Sequence, residues 1–150
     1  MSLCVTNMLL KVAFFAVFFV VIESAIHTGH QSIRVTGVLR CGASPATNVR
    51  VKLWEEDSGP DPDDLMDAGY TDANGHFDLS GGETELSTIE PVLKVYHDCD
   101  DGIKPGKRKV SFKLPSSYIT SGREPKKTFH IGELNLETIF PGEERKLIVS

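Results

Sequence analysis

Helical periodicity is almost absent from this 150-residue sequence, and so is any second long hydrophobic run. The one uninterrupted run, Val12–Ile22, is shorter than the roughly 20 residues that cross a bilayer as a helix. All 8 prolines and all 13 glycines come after it. The lack of a second long run excludes a polytopic membrane protein, and the length of 150 residues excludes a large two-domain enzyme. The prolines and glycines after the run indicate one small, turn-rich domain.

The hydrophobic run has the features of a secretory signal peptide. Lys11 precedes it, and the small residues Ser24 and Ala25 follow it, as at a signal cleavage site. We therefore predict a signal peptide over residues 1–25, a single domain over 26–150, and a secreted, extracellular protein that is not transmembrane. An uncleaved membrane anchor is the alternative, since two leucines extend the run on its N-terminal side.

Cysteine is scarce, with three in the chain, and Cys4 lies within the predicted signal peptide. The two that remain, Cys41 and Cys99, have one possible intramolecular pairing in an oxidising compartment. We predict a disulfide between them. Two free thiols or a metal site are the alternatives, but neither cysteine has a second cysteine two to four residues away.

Short alternating runs separated by turn residues fill the rest of the chain. In one of them Val49, Val51 and Leu53 share a face, and Arg50, Lys52 and Trp54 point outward. Asn and Gly tolerate a positive φ, so Asp72–Gly75 predicts a turn. The predicted strands are Ile33–Arg40, Val49–Trp54, Ala68–Thr71, His76–Leu79, Pro91–His97, Lys109–Leu114 and Thr128–Leu136. Seven strands at this spacing predict an all-β fold, a β-sandwich.

Two segments fall outside this strand pattern. Leu86 and Ile89 have helical spacing, so Glu83–Glu90 is expected to form at most one short helix, ended by Pro91. The last stretch, Pro141–Ser150, is expected to be a turn followed by a charged tail or a short edge strand.

The formal charge of −5 hides a strong segregation along the chain. From Glu55 to Asp101 there are 15 acidic residues and one basic residue, Lys94. From Gly102 to Lys127 there are eight basic residues and one acidic residue. The total therefore combines an acidic half with a basic patch.

Several motifs, taken in order, resemble the nematode transthyretin-like family of secreted proteins. They are Val35–Cys41, Val49–Trp54, the acidic Asp61–Asp64, Thr71–Phe77 leading to Ser80–Gly82, Pro91–Cys99 and Thr128–Leu136. Together they span nearly the whole chain after residue 25. The resemblance implies a seven-stranded transthyretin-like (immunoglobulin-like) β-sandwich, in agreement with the strand count.

The same resemblance argues against an enzyme. Hydroxyisourate hydrolases, which are similar in architecture, end in Tyr-Arg-Gly-Ser, and this sequence does not contain that signature. There is also no nucleophile elbow, no zinc-type His spacing and no glycine-rich phosphate loop. We therefore predict no catalytic residues and no cofactor, and we expect His76, His97 and His130 to be half-exposed strand residues.

The acidic run from Glu55 to Asp67 is dense enough to suggest calcium, since carboxylates in a bent loop supply oxygen ligands. It does not follow the EF-hand order. A solvated acidic loop is the preferred interpretation, so no metal site is predicted.

The basic patch is the best sequence-level indication of function. We predict that it contacts an anionic surface through Lys104, Lys107, Arg108, Lys109, Lys113, Arg123, Lys126 and Lys127. Some members of the resembled family are implicated in recognising phosphatidylserine and bridging it to a phagocyte receptor. The resemblance therefore implies anionic phospholipid or a cell-surface receptor as partner, whereas nucleic acid is not expected. An oligomeric carrier of a small hormone or lipophilic ligand is the alternative, and a homo-oligomer is compatible with either.

Overall fold

A computed structural model describes residues 29–56 and 62–149. The predicted signal peptide over residues 1–25, with Cys4, lies outside these residues and stays a prediction. So do His27 and two carboxylates of the acidic run, Asp57 and Asp61.

The described chain forms ten strands in two sheets. They are β1 (Gly29–Cys41), β2 (Ser44–Pro45), β3 (Arg50–Glu55), β4 (Asp64–Tyr70), β5 (His76–Glu85), β6 (Pro91–His97), β7 (Lys107–Lys113), β8 (Thr120–Ser121), β9 (Thr128–Asn135) and β10 (Glu144–Lys146). Seven of them are six residues or longer, so the predicted seven-stranded β-sandwich is confirmed. Strand β10 is the short edge strand expected in the last ten residues.

The first sheet is built around β1, which pairs antiparallel with β5, β2 and β8 and parallel with β9. The second sheet is antiparallel, in the order β10-β7-β6-β3-β4. The register of β6 and β7 shows which residues lie at each end of the sandwich. His97 lies opposite Arg108 at one end, and Val92 lies opposite Lys113 at the other.

The core lies between the sheets and follows the alternation of the strands. Val51, Leu53, Leu93 and Val95 of the second sheet are fully buried, and the first sheet contributes a matching set. Each such aliphatic side chain stabilises the fold by about 1.5–3 kcal/mol relative to exposure. The first sheet's fully or almost fully buried apolar residues are Ile33, Val35, Leu39, Phe77 and Leu79.

The predicted turn at Asp72–Gly75 is present, and its geometry accounts for the aspartate at its start and the glycine at its end. One Asp72 carboxylate oxygen accepts hydrogen bonds from the backbone N–H groups of His76 (2.9 Å) and Asn74 (2.8 Å), which lower the pKa of that carboxyl. Gly75 has a φ of 80°, and a Cβ there would lie 2.2 Å from the Leu39 carbonyl oxygen. Only glycine fits this position.

The structure corrects one local expectation and adds detail to a second. Glu83–Glu90 forms no helical turn, because β5 continues to Glu85 by pairing with β1; a 3₁₀ turn is found at Ser116–Tyr118. Lys52 does lie on the outer face of the second sheet, but it is only 6% exposed. Its ammonium is 5.7 Å from the ring centroids of both Trp54 and Tyr96, a cation–π arrangement.

The disulfide between Cys41 and Cys99 is confirmed, with the two Cα atoms 5.6 Å apart. Cys41 ends β1 in the first sheet, and Cys99 follows β6 in the second sheet. The bridge therefore ties the two sheets together at one end of the sandwich, which we call the disulfide end.

Candidate functional site

The eight basic residues predicted to form one patch are divided between the two ends of the sandwich. Lys107 and Lys113 stand at opposite ends of β7, six residues or about 20 Å apart. Residues 122–127 follow β8, which pairs with β1 at Gln31–Ser32, far from Cys41. The structure therefore does not bring the eight together, and the four at the end opposite the disulfide are defined here as the basic end: Lys113, Arg123, Lys126 and Lys127.

The side chains of the basic end are exposed and little neutralised. Lys113 lies 3.7 Å from Glu90, a loose pair in which both side chains face solvent. The Lys127 ammonium donates a 2.8 Å hydrogen bond to the Ser117 carbonyl. Within the chain that the structure describes, neither Arg123 nor Lys126 forms an ion pair with a carboxylate.

Two of the predicted lysines near the disulfide end form ion pairs with carboxylates. Lys107 pairs with Asp98, and Lys109 donates a 2.7 Å hydrogen bond to Glu144 of the neighbouring strand β10. Lys104 is exposed. These pairs cancel much of the positive charge that the sequence places there.

The predicted surface contact through Arg108 is wrong, because this residue is buried and cannot reach an external surface. Its guanidinium makes a bidentate pair with Glu143 at 2.5 and 2.9 Å. It also donates to the carbonyls of Cys99 (2.7 Å), Leu136 (3.0 Å) and Thr138 (3.0 Å). The hydrogen bonds to Glu143 raise the pKa of Arg108, and those from Arg108 lower the pKa of the Glu143 carboxyl. Arg108 therefore connects β7 to the chain around Cys99 and to residues 136–143 at the disulfide end.

His97 is also a correction, since it is 2% exposed rather than half-exposed. Its Nδ1 accepts a 3.2 Å hydrogen bond from the Cys99 N–H, while its Nε2 is buried with no hydrogen-bond partner in residues 29–56 and 62–149. Burial, and then the nearby positive charge of Arg108, lower its pKa to about 4. The imidazole is neutral at physiological pH. His76 and His130 are exposed.

His97 should make the stability of the fold dependent on pH. Below a pH of 6.5 the His97 imidazole of the unfolded chain binds a proton, whereas that of the folded chain stays neutral down to about pH 4. Stability is therefore complete above pH 6.5 and falls on acidification, by about 2 kcal/mol between pH 7 and pH 5. Urea unfolding at the two pH values measures this loss.

His97→Asn, which keeps an acceptor for the Cys99 N–H, should lose most of this pH dependence. His76→Asn, at an exposed site, should keep it. Equal pH dependence in the two variants would contradict the assignment.

Two described carboxylates of the acidic run, Glu56 and Asp63, lie against the outer face of the second sheet. Lys94 of β6, which is 8% exposed, forms ion pairs with Glu56 (2.9 Å) and Asp63 (3.3 Å) and lies 5.1 Å from the Trp54 ring. Two of the carboxylates considered for calcium are thus matched by an ammonium group. Among the described residues, no group of three or more His, Cys, Asp or Glu side chains is placed to hold a metal ion.

The disulfide end carries an exposed aliphatic surface that the sequence reasoning missed. We call it the apolar rim; its side chains, each 74% exposed or more, are Ile103, Ile139, Leu147 and Ile148. Arg145 holds the loop before β7 against the C-terminal segment by pairing with Asp101 at 2.5 and 2.9 Å and donating to the Pro105 carbonyl at 3.0 Å. Isolated aliphatic residues between turn residues have no periodicity, so no sequence pattern distinguishes them from core residues.

The comparisons with known proteins agree with this architecture. The model of the transthyretin-like family matches residues 36–115, more than half of the chain. This chain belongs to the transthyretin-like family. The match begins within β1 and ends just after β7, so it includes the disulfide and Arg108 but not Arg123, Lys126 or Lys127.

Individual members of the transthyretin-like family are similar over longer stretches. Transthyretin-like protein 46 of Caenorhabditis elegans is 69% identical over 121 residues, covering 80% of this chain and 68% of that protein. Transthyretin-like protein 33 of the same organism is 50% identical over 115 residues, covering 77% and 80%. Among solved structures, (S)-allantoin synthase superposes with a TM-score of 0.42 at 14% identity over 69% of this chain and 40% of that one, which is too low to bear on activity.

In the part of the chain that the structure describes, no helix is long and apolar enough to cross a bilayer.

Proposed function

We propose that this member of the transthyretin-like family is a secreted, non-enzymatic binding module that contacts anionic surfaces, in particular membranes containing phosphatidylserine. The observation that carries the proposal is the basic end. Its exposed side chains project from one end of a disulfide-linked sandwich, whereas Lys94, Lys107 and Lys109 elsewhere are paired with carboxylates. The family resemblance supports the same class of ligand.

The energetics suit a reversible surface contact. Each basic residue close to an anionic leaflet contributes about 1 kcal/mol, and this attraction decays over a Debye length of about 10 Å at 0.1 M salt. Arg123, Lys126 and Lys127 lie within five consecutive residues and are accompanied by one acidic residue, Glu124. The local excess of positive charge therefore gives weak, salt-sensitive binding that hydrogen bonds and apolar contacts must supplement.

Charge reversal at the basic end should weaken binding to phosphatidylserine vesicles. For Lys126→Glu/Lys127→Glu we expect a loss of about 2 kcal/mol or more, which is about thirtyfold in affinity. The measurement is vesicle co-sedimentation at low salt, with the chain lacking residues 1–25 so that the hydrophobic run does not contribute. Lys104→Glu/Lys146→Glu, at the disulfide end, makes the same change in net charge and serves as the matched control.

The two double variants separate a local contact from a general charge effect. The proposal requires that the control bind nearly as well as wild type. Equal losses in both variants would mean that net charge alone governs binding, and unchanged binding of Lys126→Glu/Lys127→Glu would exclude the basic end as the contact.

A protein partner, such as a cell-surface receptor, is the second candidate, and the apolar rim favours it. Ile103 and Leu147 line one shallow depression of the rim, and exposed apolar patches of this kind mark interaction sites. The rim is at the end of the sandwich opposite the basic end, so both contacts are sterically compatible. The oligomeric carrier stays an alternative prediction, and light scattering tests it, because a monomer has no pocket between subunits.

A further inference from the structure

We propose that an open cleft beside the basic end is the binding site for the phosphate-bearing headgroup of the lipid. This inference rests on the proposed function and adds to it a specific site, because a charged surface alone attracts any anionic membrane, whereas a cleft recognises a chemical group. The cleft is lined by hydroxyl groups, lies next to the basic residues and has one exposed leucine at its edge.

The cleft has a volume of about 340 Å³ and lies between the β5–β6 connection and the segment around β8. This volume is in the range of sites that hold small ligands. Four hydroxyl groups line it, from Ser87, Thr88, Ser116 and Ser121, and no lining residue is acidic. Hydroxyl groups without a competing carboxylate are the donors that a phosphate oxygen needs.

The floor of the cleft is held in place by a buried glutamine. Gln31, 5% exposed, donates from Nε2 to the Ser87 carbonyl at 2.6 Å and accepts at Oε1 from the Ile89 N–H at 3.4 Å. These bonds fix the β5–β6 connection against β1. A preformed site of this kind loses little conformational entropy when a ligand binds.

The segment 122–127, which carries three side chains of the basic end, is hydrogen-bonded to the wall of the cleft. The Lys126 N–H donates a 3.2 Å hydrogen bond to the Thr120 hydroxyl, next to the lining residue Ser121. The Lys127 ammonium bonds the Ser117 carbonyl, next to the lining residue Ser116. The Lys127 ammonium is therefore held one residue from the lining of the cleft, where its charge attracts a phosphate, and charge-assisted hydrogen bonds are roughly twice as strong as neutral ones.

Leu86 distinguishes a lipid from a soluble phosphate ester. It lines the cleft yet is 77% exposed, so a ligand confined to the cleft leaves most of its side chain in water. A membrane surface would bury it among the glycerol and acyl groups when the headgroup enters the cleft. We therefore assign the phosphate to a membrane lipid.

The test removes hydroxyl groups without changing charge. Thr88→Val/Ser121→Ala should bind phosphatidylserine vesicles about tenfold more weakly than wild type, with an unchanged melting temperature. Ser44→Ala/Thr47→Val removes the same two kinds of hydroxyl from exposed positions near the disulfide end and should bind like wild type. Leu86→Ser should weaken vesicle binding but not the binding of soluble glycerophosphoserine, which is the second probe.

Each outcome decides between the site and the wider proposal. If Thr88→Val/Ser121→Ala binds normally while Lys126→Glu/Lys127→Glu does not, the cleft is not the headgroup site, but the anionic-surface proposal stands. If wild type binds glycerophosphoserine through the cleft hydroxyls but binds no vesicle, the phosphate site stands, its source is a soluble ester, and the surface proposal fails. Binding to neither probe overturns both.

Discussion

Replacing Cys41 and Cys99 together with alanine is expected to lower the free energy of unfolding by about 4 kcal/mol. The two residues are 58 apart in sequence, and the bridge removes the entropy of that loop from the unfolded chain. Since small domains have net stabilities of about 5–15 kcal/mol, the variant should be close to unfolding at 37 °C. Urea denaturation of the variant and of the wild type measures the difference.

Reduction supplies the control for the disulfide prediction. Wild type treated with dithiothreitol should match the double alanine variant, and the variant itself should not respond to the reductant. A reduced wild type as stable as the oxidised protein would show that the core alone holds the sheets together.

Arg108→Met should destabilise the fold by about 3–5 kcal/mol, since removing one partner of a buried pair leaves the other charge uncompensated. Glu143 would lose both bonds of its bidentate contact, and the carbonyls of Cys99, Leu136 and Thr138 would lose a donor. Thermal and urea unfolding, compared at pH 7, report the loss.

A matched exposed arginine tests whether burial causes the loss of stability expected for Arg108→Met. Arg34 makes a similar bidentate pair with Asp78, but both side chains are about half-exposed, so Arg34→Met should change stability little. Adding Glu143→Leu to Arg108→Met should recover part of the loss by removing the unpaired carboxylate. Similar effects of Arg108→Met and Arg34→Met would contradict the role assigned to Arg108.

The alternation of apolar residues was enough to predict the strands, because period 2 is a local property. Pro91–His97 has the predicted bounds, and Val49–Trp54 differs from the observed strand by one residue at each end. The extension of β5 to Glu85 could not be predicted in this way. It depends on pairing with the first residues of β1, a contact about 55 positions away in sequence.

The candidate site was predicted only in part, because charge along a chain does not show which charges meet in space. Lys113 and Lys107 share a strand but lie at opposite ends of the sandwich, and Arg108, between them, points into it. The sequence did not reveal the burial of His97, because its neighbour Arg108 comes from another strand. The cleft beside Ser121 could not be predicted at all, since it joins two loops that are distant in sequence.

The proposed contact with anionic membranes is tested most directly by the salt dependence of vesicle binding. The chain without residues 1–25 is mixed with vesicles containing phosphatidylserine, or phosphatidylcholine alone, at about 50 mM and about 300 mM salt, where screening differs strongly. We predict binding to the phosphatidylserine vesicles at low salt, a marked loss at high salt, and little binding to phosphatidylcholine at either. Equal binding to the two lipids, or no binding at low salt, would contradict the proposed function.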